Sequence, residues 1–121
     1  MKRVYLAGPP FAEEYRHRAS QLLLAAGCEP VDPMRRDFRG RTEGNEAELV
    51  EGDLEEIASC DVVLAAFTAP DEGTAMETWH AHTLGRPVVV YTGGTPPHPW
   101  TVYVGASVHP ALEDAVAAVV R

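Results

Sequence analysis

The feature that most constrains this chain is Val62-Val63-Leu64-Ala65-Ala66-Phe67, an unbroken apolar run opened by Asp61. A strand apolar on both faces needs cover on both faces, which is the situation of a central strand in a parallel sheet. The neighbouring segments supply that cover. Phe11, Tyr15, Ala19, Leu22, Leu23 and Ala26 recur at helical spacing before the stop at Gly27, and Ala47, Val50, Leu54, Ile57 and Ala58 form a second stripe over 46–59. A third helix is expected over Thr74 to Leu84, closed by Gly85, and a last one from Pro110 through Val120.

Between the helices lie further short strands. Val4 to Ala7 ends at Gly8-Pro9-Pro10, Pro87 to Tyr91 is a fourth strand in sequence, and Thr101 to Val104 reads as a weaker fifth. Cys28 to Pro33 is the second, and Pro30 inside it removes a backbone donor, which a sheet tolerates at its edge. Strands alternating with helices predict one parallel α/β domain over 1–121, with ligands beyond the carboxyl ends of the strands. Gly8, the Asp32 loop, the 68–72 loop and the Gly93 loop all fall there. The long polar segment 34–45 carries Arg35, Arg36, Arg39 and Arg41 and is expected to close over a ligand or contact it.

Composition narrows the partners. In 121 residues, 10 Lys and Arg face 18 Asp and Glu, a net charge of −8 that disfavours nucleic-acid polymers and anionic membranes and suits a small ligand. No apolar run reaches membrane-spanning length, and the apolar part of the N-terminal segment is too short for a signal peptide, so a cytoplasmic location is expected. Cys28 and Cys60 have no metal spacing and read as buried thiols. His80 and His82 are two apart and cannot share a metal on one helix face, and His17, His98 and His109 read as surface or capping residues, so no metal site is expected. Neither GxGxxG nor GxxxxGK[ST] occurs, and the prolines after Gly8 remove amides that a phosphate needs, so no NAD or ATP site is expected.

Carboxylates gather where the ligand edge is expected. Asp71, Glu72 and Glu77 run from the tip of the third strand into the third helix, and a helix N-terminus favours an ionised acid that can act as a nucleophile. Thr74-x-x-Glu77 equally fits a capping box in which Glu77 reaches back to the Thr74 amide. Asp53 lies at the boundary of the wet and buried faces of its helix, either aimed into a cleft or an ordinary exposed acid. Tyr5 sits inside the first strand, where its hydroxyl can hold a carboxylate or be satisfied in the core.

Val4-Tyr5-Leu6-Ala7-Gly8-Pro9-Pro10-Phe11, Asp32-Pro33, Gly52-Asp53-Leu54-Glu55-Glu56-Ile57, Cys60-Asp61-Val62-Val63, Asp71-Glu72-Gly73-Thr74-Ala75-Met76-Glu77 and Gly85-Arg86-Pro87-Val88 together resemble the nucleoside 2-deoxyribosyltransferase family, over most of residues 4 to 91. The resemblance implies a flavodoxin-like, Rossmann-like five-stranded sheet of order 2-1-3-4-5. It implies Glu77 as the nucleophile in a double displacement at the sugar anomeric carbon, Asp53 and Asp71 positioning the sugar and relaying the proton, and Tyr5 orienting Glu77. Gly8, Pro9, Phe11, Asp32, Arg36, Gly73, Thr74 and Met76 are the expected substrate contacts. The implied partners are a nucleoside and a nucleobase, with no cofactor and with a homodimer or larger homo-oligomer.

Some positions depart from the family. Trp79 stands two residues after the implied nucleophile, where a small residue is usual, and the only asparagine, Asn45, lies in the long loop, whereas the family often supplies one from a neighbouring subunit. A related branch cleaving 2-deoxynucleoside monophosphates has serine where Asp71 stands. A carboxylate there repels phosphate, while the arginine-rich loop argues the other way. A non-catalytic nucleotide-binding or signalling module is the reading from a different class, with Glu77 only a cap.

Overall fold

The computed structural model describes residues 1–36, 38 and 40–121; Arg39, one of the arginines expected to contact a ligand, lies outside them with Asp37. The elements are β1 (Arg3–Ala7), α1 (Glu13–Ala25), β2 (Glu29–Val31), a 3-10 turn (Pro33–Arg35), α2 (Glu46–Ser59), β3 (Val62–Ala66), α3 (Glu72–Thr83), β4 (Val88–Tyr91), α4 (Pro99–Val104), β5 (Ser107–His109) and α5 (Leu112–Val120). All five strands pair in parallel in one sheet, ordered β2-β1-β3-β4-β5. The expected order holds, β2 with Pro30 is an edge strand, and every residue of β3 is buried.

Strand alternation divides the core in two. Val4, Leu6 and Leu64 pack with Ala19 and Leu23 of α1 and Leu112, Val116 and Val119 of α5. Tyr5, Ala7, Val63 and Ala65 face the other way, toward Ile57 of α2 and Ala81 of α3. In register, Tyr5 pairs with Val63 and Val31, so it lies mid-sheet on the face that α2 and α3 cover.

Two expectations need correction. Thr101 to Val104 is helical, not a strand, and the fifth strand is Ser107–His109. Pro99 presets the helical φ at the first position, and His98 Nδ1 accepts the Trp100 amide at 3.2 Å, so a capped turn overrides the β-branched run. The α2 stripe is not a core stripe throughout: Ile57 is buried, whereas Val50 is exposed and Leu54 half-buried.

Cys28 and Cys60 are buried free thiols. Among the described residues no helix is long and apolar enough to cross a membrane, and no cluster of three or more His, Cys, Asp or Glu is placed to hold a metal ion.

Candidate active site

At the carboxyl end of β1 the chain turns through Gly8-Pro9-Pro10, where the prolines have no amide to donate and the Gly8 and Pro9 carbonyls need a partner. The donor they need comes from α1. Arg16, only 4% exposed, donates from one terminal nitrogen to the Pro9 carbonyl at 2.7 Å and from the other to the Gly8 carbonyl, and its Nε lies 3.3 Å from Asp32 Oδ1. Asp32 also accepts the Met34 amide at 2.9 Å, which caps the 3-10 turn after β2. A buried arginine thus ties the first loop to the second. Sequence reading missed Arg16, although two prolines in succession beside a glycine signalled a loop rich in acceptors and poor in donors.

On the opposite wall, α3 starts earlier than expected. Asp71 is its N-cap, with Oδ2 accepting the Thr74 amide at 3.0 Å and the Thr74 hydroxyl at 2.6 Å. Thr74 is consequently inside the helix and buried, and the capping box does not form. Glu77, one turn further on, faces the sheet instead of its own N-terminus. The Tyr5 hydroxyl, fully buried beneath it, donates to Glu77 Oε2.

The third wall is α2. Asp53 lines the same cleft, near enough for its charge to act on Glu77. Arg36, just past the 3-10 turn, donates to Asp53 Oδ1 at 2.9 Å and from Nε to Glu56 Oε1 at 3.1 Å, while Arg35 pairs with the other Glu56 oxygen. The arginines expected to be solvated or free for a ligand are in these two cases paired to the acids of α2.

These walls enclose a cavity of about 300 Å³. Gly8, Arg36, Asp53, Asp71, Gly73, Thr74, Met76 and Glu77 line it, while Tyr5 reaches it through Glu77. Pro9, Phe11 and Asp32 stand outside this lining: Pro9 is buried with its carbonyl on Arg16, Phe11 is 74% exposed, and Asp32 pairs with Arg16. Gly8 fits the wall because an added Cβ would come within 3.2 Å of the Tyr15 ring. The apolar lining of Met34, Phe38, Leu49, Val50 and Leu54 was not anticipated as a ligand wall. Trp79 is on the outer side of α3, its ring 5.5 Å from His82 and 5.9 Å from Trp100, so it does not pack behind Glu77.

The carboxyl groups perturb one another. Burial pushes Glu77 up to about 8; the Tyr5 hydrogen bond and Arg16 oppose the rise, and Asp53 adds to it. Asp53 is also raised, by burial first, with Arg36 holding it back. Tyr5 is raised by burial and by the acids above it, so its hydroxyl stays a neutral donor. Burial therefore favours the protonated form of Glu77 near neutrality, beside a second raised carboxyl in a cleft with an apolar wall.

The model of the nucleoside 2-deoxyribosyltransferase family matches residues 4–111, reaching beyond Tyr91 to the segment after β5. The chain belongs to that family. No curated protein sequence matches it significantly. Among solved structures, the 2-deoxyribosyltransferase of the psychrotolerant bacterium Bacillus psychrosaccharolyticus superposes with a TM-score of 0.75 at 23% identity, over 97% of this chain and 95% of that one. A conserved protein of Enterococcus faecalis V583 gives 0.75 at 17% identity over 98% and 97%, and the CMP N-glycosidase BcmB of Clostridium botulinum gives 0.68 at 16% over 97% of each. At these identities the structures share the fold. Membership of the nucleoside 2-deoxyribosyltransferase family places the chain among enzymes of glycosyl transfer.

Proposed function

We propose that the protein cleaves the N-glycosidic bond of 2-deoxyribonucleosides through a 2-deoxyribosyl ester on Glu77, and passes the sugar to a second nucleobase or to water. The observation that carries this reading is the Tyr5 hydroxyl on Glu77 Oε2 with Asp53 beside it, at the open edge of the sheet. Glu77 attacks the anomeric carbon, the bond to the base breaks with its electron pair going to the base, and the proton held by Glu77 passes by way of Asp53 to the departing base nitrogen. The products are a glycosyl ester and a neutral base, so no proton is left over. Attack by a second base or water then breaks the ester and returns the proton to the pair.

Tyr5 keeps Glu77 aimed, and Asp53 relays the proton. Asp71 positions the sugar with the part of its carboxylate not engaged by Thr74. Met34, Phe38 and Leu49 offer an apolar wall to a planar base, and Gly8, Arg36, Gly73 and Met76 complete the contact surface. A nucleoside suits this cleft better than its monophosphate: Asp53, Asp71 and Glu77 line it, and both arginines on its wall are already engaged with acids. No step of this chemistry calls for a metal or organic cofactor.

Deoxyinosine incubated with the protein, with and without adenine, tests the proposal by chromatography. Deoxyadenosine appearing with adenine shows transfer, hypoxanthine alone shows hydrolysis, and no turnover of any deoxynucleoside refutes the reading in favour of a binding module.

A further inference from the structure

Gly52 is the seventh of fourteen residues in α2, where glycine is a poorer helix former than alanine. Its φ is not positive, so conformational freedom does not explain it. Space does. A Cβ at Gly52 would lie 2.5 Å from one terminal nitrogen of Arg36 and 3.0 Å from its guanidinium carbon. That nitrogen is buried and has no hydrogen-bond partner among the described residues, while the other terminal nitrogen and Nε hold Asp53 and Glu56.

We infer that Gly52 is a positioning residue, the bare place on α2 that lets the Arg36 guanidinium settle on the helix and hold the Asp53 carboxylate toward Glu77. The inference rests on the proposed function only in giving Asp53 a part in the reaction; the seat itself is a matter of geometry. Any side chain at position 52 meets the far end of a flexible arginine, not backbone. The arginine therefore yields, the fold stays, and Asp53 loses its cation. The charged and titratable groups around Asp53 are Arg36 from the turn, Glu56 on α2 and Glu77 on α3, with Tyr5 of β1 beneath and Arg16 of α1 acting on Glu77. Without Arg36, burial and the Glu56 charge raise Asp53 against the Glu77 hydrogen bond alone, and its carboxyl titrates at higher pH.

A double-mutant cycle decides it: wild type, Gly52→Ala, Arg36→Ala and the double variant, each followed by carbon-detected NMR titration of Asp53 in the ligand-free protein and by deoxynucleoside turnover. Both single variants should raise the Asp53 midpoint and lower kcat by about tenfold or more, a proton-transfer loss at the low end, with KM little changed in Gly52→Ala, which keeps every substrate contact except the Arg36 seat. Gly52→Ala should add nothing in the Arg36→Ala background, and should melt no lower than wild type. An unchanged Asp53 midpoint in Gly52→Ala, losses that multiply in the double variant, or a Gly52→Ala protein that fails to fold would each overturn the inference. If the wild type turns over no deoxynucleoside, the proposed function fails, while the titrations still decide whether Gly52 seats Arg36.

Discussion

Two hollows flank the N-terminus of α3, and the larger is the poorer candidate for chemistry. The cleft of about 300 Å³ holds Glu77, Asp53, Asp71 and two engaged arginines. The hollow of about 610 Å³ beyond Pro70 is walled by Phe67, Pro96, Pro97 and Trp100, and shares only Asp71 with the cleft. Size follows from where loops happen to stand apart. Reactivity needs groups whose environments push their protonation away from the ordinary, and only the smaller cleft has them.

The largest expected effect separates the two hollows outright. Glu77→Gln should lower deoxynucleoside turnover by on the order of 10³-fold or more, since the amide cannot form the glycosyl ester. Trp100→Ala, in the larger hollow, should change it by less than about threefold. Equal losses in the two variants would erase the distinction between the hollows.

Tyr5→Phe sharpens the comparison by pH. Turnover should decline as pH rises through about 8, where Glu77 loses its proton. The Tyr5 hydrogen bond lowers the Glu77 pKa, so its removal should move that declining limb to higher pH and cut kcat by roughly 10- to 100-fold. A limb that stays in place would dissociate it from Glu77.

A smaller effect is on stability. Between the ordinary glutamate value of 4.5 and about 8, the folded protein binds more protons than the unfolded chain, so stability falls as pH rises across that window. Glu77→Gln has no such loss. Its melting temperature should exceed that of wild type by roughly 5 °C at pH 9 and converge with it near pH 4, as thermal scans would show.

The smallest concerns the residue both hollows share. Asp71→Ala removes the α3 cap and should cost about 1 kcal/mol in chemical denaturation, whereas Asp71→Asn keeps a capping oxygen and should cost little. Any activity lost in the asparagine variant then reports the charge at position 71, not the helix start.

What the chain reveals before folding follows the range of the forces involved. β3 and the edge position of β2 were readable because apolar runs, helical stripes and Pro30 are local signals with few alternatives, whereas the full strand order came from the family resemblance. The Thr101–Val104 segment misled because its β-branched residues are local too, but Pro99 and His98 settle its conformation. The cleft was legible in its acids, its glycines and Arg36, Thr74 and Met76, but not in Arg16 or its apolar wall. Arg16 is buried because carbonyls seven and eight residues away need donors, and Val50 lines the cleft because the turn after β2 lies opposite; neither follows from spacing within α1 or α2. Glu77 looked like half of a capping box until Asp71 took the cap position.

The alternation of β1 ties the proposed chemistry to a parity. Tyr5 is under Glu77 because it is an odd-numbered residue of a strand whose even-numbered residues, Val4 and Leu6, face α1 and α5. A slip of one residue in the pairing of β1 with β3 would exchange the two sets. The phenol would then enter an aliphatic layer and an aliphatic side chain would stand beneath the carboxyl. In this short strand a frame error of one is at once a packing error and a catalytic one, so length changes should be tolerated in the loops around the cleft long before they are tolerated in β1.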